Sequence, residues 1–168
     1  LSASEEATLE PPFDDKLYSW EQDYFFEHFL GHYSRRAPSY LAALREEPEF
    51  ANLAMELAAL PRVLVHRDFQ SQNILIRDNC PYMIDYQGLR LGLAAYDIAS
   101  LVHDPYVCLT GNQREELIHY AFRNHHSGKE QQAYTRCAIQ RLMQALGAYA
   151  MLANSSGKRH FLQYILSL

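Results

Sequence analysis

Apolar residues recur at helical spacing along most of this chain, and the pattern breaks once, in the middle. Leu17, Trp20 and Tyr24, with Phe25, Phe29 and Tyr33 one row over, predict a broad amphipathic helix over 15–34. Asp14 or Asp15 can cap its start, where acidic charge is favourable. Leu41, Leu44, Phe50, Leu53 and Leu57 predict a second helical region over 39–59. Pro48 should divide it, because a proline inside a helix removes a hydrogen bond and clashes with the preceding turn. After Pro61 come three short apolar segments, 63–65, 74–76 and 82–84, too short for helices; the last two are joined by the turn-like "RDNCP". Beyond Gly88 and Gly92 the pattern is helical again at 96–103, 113–126, 131–153 and 158–167. The longest of these carries Ile139, Leu142, Met143, Leu146 and Tyr149. The expected fold class is α+β, mostly helical, with a small central β-hairpin.

The break itself is "VLVHRDFQSQNILI", residues 63–76, in which charged and amide side chains lie between two greasy runs. Burying such groups without partners costs a few kcal/mol each, so the stretch is either a satisfied structural knot or a site. On the plainer reading, Asp68 and Asn73 cap a turn and Asp85 joins a surface ion pair.

Composition narrows the classes. At 168 residues and 48% apolar, the chain can bury a real core. A net charge of −5, with basic residues scattered, argues against a nucleic-acid binder. Cys80, Cys108 and Cys137 are far apart and lack metal-type spacing, which fits a reduced, cytoplasmic setting. No apolar run reaches the roughly 18 residues of a membrane span, and the start "LSASEEATLE" is acidic, unlike a signal peptide.

His66-Arg67-Asp68, four residues, Asn73, an apolar strand and then Ile84-Asp85-Tyr86 resemble the H-R-D-x-x-x-x-N loop and D-F-G of protein-kinase-like phosphotransferases. No A-P-E follows, and Gln87 stands where the D-F-G glycine would. The downstream "IDYQGLRLGLAAYDIASLVHDPY" is similar instead to the aminoglycoside/choline-kinase-like superfamily, whose members phosphorylate small molecules. Within it, His66-Arg67-Asp68-Phe69, Ile84-Asp85-Tyr86-Gln87, Gly92 and Tyr96-Asp97-Ile98-Ala99-Ser100-Leu101 resemble the bacterial N-acetylmuramate/N-acetylglucosamine anomeric kinases. The late "QRLMQALGAYAMLANSSGKRHFLQYI" resembles their last helices, so the likeness spans roughly residues 12–168.

The resemblance implies an ATP-dependent kinase. Asp68 would orient or deprotonate the acceptor hydroxyl, and Asn73 and Asp85 would hold Mg²⁺, a hard ion suited to such oxygens. Asp97, at a helix start, would accept backbone N–H groups and brace the loop. Arg67 would pair with a nearby carboxylate, and His66 would pack and hydrogen-bond; Gln70 and Gln87 are candidate phosphate or substrate contacts. Two departures bear on the acceptor: Gln70 stands where many relatives have His, and Gly88 where the anomeric kinases often have an acidic residue.

No Gly-rich loop and no V-A-x-K-like strand precede the motif, and Lys16 begins a helix. In kinase-like folds those parts form an N-lobe, expected upstream of Leu1. Residues 1–168 then read as the C-lobe: a lead-in at 1–13, the catalytic loop and metal-binding hairpin at 62–88, and a helical subdomain at 96–168. Such a lobe alone should be inactive and expose apolar surface meant for its partner lobe, also a candidate homodimer face. The expected partners are a sugar acceptor, giving a sugar 1-phosphate in cell-wall recycling, and ATP.

Three alternatives stand beside this. The acceptor is an aminoglycoside or a choline-like or homoserine-like molecule, with Asp104, Glu115 and Glu116 in the acceptor region; or the chain is a kinase-like binding module without activity. The third is a metal-dependent phosphohydrolase using His66, Asp68, His103 and Asp104.

Overall fold

The computed structural model describes residues 9–123, 128–155 and 158–165. The chain divides into two compact units, one formed by 1–13 and 60–138, the other by 14–59 and 139–168.

The second unit opens with helix α1 (Asp15–Tyr24), capped by the Asp14 carboxylate, which accepts the Leu17 N–H at 2.8 Å. The helix runs on through a π-helical segment, Phe25–Leu30, into a last turn, α2 (Gly31–Tyr33). Helices α3 (Pro38–Arg45) and α4 (Pro48–Ala58) each carry proline in the first turn, where the missing N–H costs nothing. Pro48 therefore divides the 39–59 region by starting its second helix.

The inward face of α1 is not the expected one. Trp20 is exposed, stacked on Tyr24, whereas Tyr18, Glu21 and Gln22 are buried. Gln140 binds this polar row: its amide donates to the Tyr18 carbonyl (2.9 Å) and to Glu21 Oε2 (3.1 Å). Gln22 Nε2 donates in turn to Gln140 Oε1 (2.9 Å) and to the Phe50 carbonyl (3.0 Å). Because these groups satisfy one another, burying them is tolerable.

Gln140 lies on helix α7 (Gly128–Ser155), whose residues from Ile139 onward belong to this unit. Gly147 of α7 faces the start of the π segment, where an added Cβ would lie 3.0 Å from the Phe25 nitrogen and the Tyr24 carbonyl carbon. A 3₁₀ turn (Arg159–Phe161) and α8 (Leu162–Ile165) follow. The rest of the predicted 158–167 helix lies outside the described residues.

The first unit holds the strands. β1 (Val63–Val65) pairs antiparallel with β4 (Arg90–Gly92), Val63 opposite Gly92 and Val65 opposite Arg90. β2 (Ile74–Arg77) and β3 (Cys80–Met83) form a hairpin. Its two-residue turn, Asp78-Asn79, has both φ positive (51° and 59°), the I′ geometry that suits strand twist and that Asp and Asn tolerate. β4 escapes the hydrophobic pattern because three residues, one of them glycine, show no alternation.

Part of the lead-in is built into this unit. Glu10 and Phe13 donate backbone hydrogen bonds to Leu89 and Leu91 (3.1 and 2.9 Å), and Phe13 is fully buried, its ring 4.7 Å from that of Tyr96. Gly92 permits this. A Cβ there would sit 2.6 Å from Phe13 and 2.9 Å from Val65.

Helix α5 (Ala94–Val102) follows β4 and buries Tyr96, Ala99 and Val102; α6 (Gly111–Phe122) starts with a Thr110–Gln113 capping box. Among the described residues no helix is long and apolar enough to cross a membrane.

Gly92→Ala should lower stability by about 1–3 kcal/mol, through forced displacement of Phe13, read as a lower urea midpoint. Gly147→Ala should cost a similar amount in the other unit, at the α1 crossing.

Candidate active site

The polar stretch of the sequence becomes a loop whose backbone is held at several points. After β1, the chain turns at Arg67, which has φ 77°, a left-handed conformation unusual for a residue with a side chain. Asp97, in the first turn of α5, grips this turn. Its Oδ2 accepts the His66 N–H at 2.6 Å and its Oδ1 the Arg67 N–H at 2.8 Å.

Past Arg67 the loop closes on itself. The Asp68 carbonyl accepts both the Gln70 N–H (2.9 Å) and the Asn73 side-chain amide (2.8 Å), and the Asn73 N–H donates to the Gln70 carbonyl (2.9 Å). Asn73 ends the 3₁₀ turn Ser71–Asn73 and leads directly into β2; the Ile84 N–H donates to its carbonyl at 3.0 Å. Asp85 thus follows the residue paired with Asn73, at the open end of the hairpin. It also has positive φ, 66°, and opens the 3₁₀ turn Tyr86–Gly88. His66 ties the two segments together, since its buried ring donates from Nε2 to the Ile84 carbonyl at 2.9 Å.

Of the four non-glycine residues with positive φ among the described residues, two belong to the hairpin turn. The other two, Arg67 and Asp85, flank this loop, and each is fastened by a neighbouring bond: Arg67 by Asp97, and the Ile84–Asp85 peptide by His66. Strain of this kind costs about 1–3 kcal/mol per residue and persists only where surrounding bonds enforce it.

Asp68 and Asn73 are half-buried and Asp85 is exposed. Among the described residues, the carboxylates of Asp68 and Asp85 and the Asn73 Oδ1 make no hydrogen bond or ion pair. Gln87 is exposed in the 3₁₀ turn, and Gln70 is half-buried on the loop.

Other expectations change. Ion pairs among the described residues include Arg45 with Asp23, Arg77 with Asp78 and Arg90 with Glu10, and Arg67 is in none of these; the carboxylate of Asp97, its neighbour, accepts backbone amides. Glu115 and Glu116 lie on an exposed face of α6. Asp104 is only 1% exposed, and its oxygens accept the N–H groups of Ser71 (2.5 Å) and Tyr106 (2.9 Å). With His66 and Asp104 so engaged, the four-residue hydrolase cluster does not form. Among the described residues no group of three or more His, Cys, Asp or Glu side chains is placed to hold a metal.

His103 faces Tyr134, Nε2 to hydroxyl 3.3 Å. Burial, with the Arg114 charge adding to it, lowers the His103 pKa; burial chiefly pushes the Tyr134 hydroxyl up to about 12.

Residues 2–137 match the phosphotransferase enzyme family (APH), and the chain belongs to it. It is 30% identical to an N-acetylmuramate/N-acetylglucosamine kinase of Neisseria meningitidis over 105 residues, 62% of this chain and 31% of the relative. Proteins of the same name from Pseudomonas putida and Pseudomonas aeruginosa are 25% identical over 163 residues and 24% over 115. Those alignments cover 90% and 61% of this chain, and 48% and 33% of the relatives. The chain therefore spans about half the length, or less, of the curated relatives it matches. It is a member of a kinase and phosphotransferase family, a class that uses ATP.

Asp97→Asn replaces one acceptor oxygen by an NH₂ facing a backbone N–H. It should cost about 1.5–3 kcal/mol, measured by urea unfolding. For His103 the folded pKa is lowered, so the unfolded chain binds more protons as pH falls through about 6.5 and stability is lost there. For Tyr134 the folded pKa is raised, so its contribution disappears between about 10 and 12. Unfolding midpoints followed across pH in wild type and His103→Gln should show the acid loss reduced in the variant.

Proposed function

We propose that this chain is the C-terminal lobe of an ATP-dependent kinase that phosphorylates a sugar hydroxyl, giving a sugar 1-phosphate in cell-wall sugar recycling. The observation that carries the reading is the join between Asp68, Asn73 and the end of β3. One loop bond (Asn73 Nδ2 to the Asp68 carbonyl) and one ladder bond (Ile84 N–H to the Asn73 carbonyl) tie the backbone of Asp68, Asn73 and Ile84 together, which supports a common site for the side chains of Asp68, Asn73 and Asp85 at the hairpin's open end.

In this reading Asp68 accepts the hydrogen bond of the acceptor hydroxyl and aims its oxygen at the terminal phosphoryl group. Transfer proceeds through a loose transition state, so aim counts for more than basicity. Asn73 spends its amide donor on Asp68, which fixes the plane of the side chain and leaves Oδ1 for a cation. Asp85, held in its left-handed conformation, offers a second oxygen. An Asn and an Asp fit Mg²⁺, which takes few protein ligands and keeps waters and phosphate oxygens as the remainder. Bound there, the ion would neutralise charge on the nucleotide phosphates. His66, Arg67 and Asp97 shape the loop, and Gln70 and Gln87 remain candidates for phosphate or substrate.

The nucleotide-facing half of the cleft is assigned to an N-terminal lobe of the same protein. Two features support this. The relatives are at least about twice as long as the part matched here. The hairpin is bare on both faces: Leu75, Ile76, Tyr82 and Met83 are all more than half exposed, beside an apolar groove of about 650 Å³. A two-stranded hairpin so exposed is marginal in water and gains from cover. The cytoplasm is the proposed setting. The sugar acceptor rests on the names of the relatives.

ADP release by the full-length protein with Mg²⁺ and ATP should be stimulated by N-acetylmuramate or N-acetylglucosamine. Stimulation by choline, homoserine or an aminoglycoside instead would transfer the assignment to that acceptor, and none at all would leave a binding module. Asp68→Asn should lower kcat by about 10²–10⁴-fold with the fold intact; unchanged turnover refutes its role.

A further inference from the structure

We propose that Asp104 is a positioning residue for phosphoryl transfer, acting through the backbone of Ser71; this rests on the role given above to Asp68. Asp104 is 1% exposed and follows the C-terminal end of α5. A buried polar side chain is tolerated where hydrogen bonds satisfy it. Among the described residues no cation pairs with it. Its partners are two backbone amides, Ser71 N–H at 2.5 Å and Tyr106 N–H at 2.9 Å. The Tyr106 bond is a local turn two residues on. The Ser71 bond crosses 33 residues of sequence and ends on the loop between Asp68 and Asn73.

Asp97 and Asp104 act as a pair. Asp97 stands in the first turn of α5 and Asp104 just past its last residue, Val102, so the helix separates the two carboxylates. Asp97 fastens the amides of His66 and Arg67, and Asp104 fastens that of Ser71. Four residues of chain from Arg67 to Ser71 reach at most about 14 Å, so the segment between the two fastenings has little slack. Asp68 lies in that segment, and its carbonyl already accepts from Gln70 and Asn73. Release at Ser71 would therefore loosen Asp68 and Asn73 together. An isosteric amide at 104 would keep the shape but present an NH₂ to one of the two N–H donors.

The test uses the full-length protein in four forms: wild type, Asp104→Asn, Ser71→Pro (which deletes the backbone donor, along with the hydroxyl, at the first position of a 3₁₀ turn) and the double variant. Asp104→Asn should lower kcat by about 10–100-fold while KM for ATP and for the acceptor stays within about threefold. Ser71→Pro should lower kcat as well, and the double variant should be no worse than the poorer single one, because both remove the same bond. Gly147→Ala, which loosens the other unit, serves as the stability control and should leave kcat unchanged. A kcat for Asp104→Asn within twofold of wild type overturns the proposal. So does a strictly additive cycle, or an equal loss in Gly147→Ala. Amide hydrogen exchange over 66–76 is read in parallel and needs no turnover: Asp104→Asn should speed it. If wild type transfers no phosphoryl group to any acceptor, the kinase reading has failed. Exchange then decides on the tether alone, and an unchanged rate overturns it.

Discussion

The hydrogen bonds from His66 and Arg67 to the Asp97 carboxylate, at 2.6 and 2.8 Å, set the geometry of everything around the polar loop. An ionised acceptor makes such bonds about twice as strong as neutral ones, enough to hold Arg67 in a conformation that a side chain disfavours. The chain direction after β1 follows from that turn. It delivers Asp68 to a place where its carbonyl can take the Asn73 amide, and Asn73 to a place where β2 can begin. Asp97 in turn is fixed because α5 buries Tyr96 and Ala99 on either side of it, with Phe13 packed on Tyr96 and Gly92 making room for Phe13. A glycine in a short strand and a carboxylate on the next helix thus belong to one packing problem.

Much of this was legible in the chain. Helical periodicity located the helices of both units, Pro48 marked a helix start, and the three short apolar segments located β1, β2 and β3. Asp97 stood out because a carboxylate in a first helical turn seeks N–H groups, and the structure supplies two from the loop. The hairpin turn was visible as "RDNCP", though its strands begin and end a residue or two away from the apolar runs.

What was not legible depended on distant partners. Glu21 and Gln22 read as the outer face of α1 and Trp20 as the inner one, until Gln140, 118 residues from Gln22, satisfies the polar pair and reverses the choice. β4 is too short to carry a period and exists because β1 on one side and the backbone of Glu10 and Phe13 on the other complete its hydrogen bonds. Asp104 looked like an acceptor contact or a solvated charge. Only the approach of Ser71 shows it to be an internal acceptor. Its place just past the end of the helix that carries Asp97 was the available signal.

The π-helical run Phe25–Leu30 has a consequence for the chain as a string of letters. Such a widening accommodates one residue more than an α-helix of the same rise, so the rows of side chains before and after it are offset by one place, about 100° of rotation. Deleting a single residue there would let the helix rewind. Tyr33, whose hydroxyl donates to Asn154 at 2.8 Å, would then swing away from its partner although its own identity and neighbours were untouched. In this stretch the count of residues is itself a structural parameter, as constraining as their chemistry.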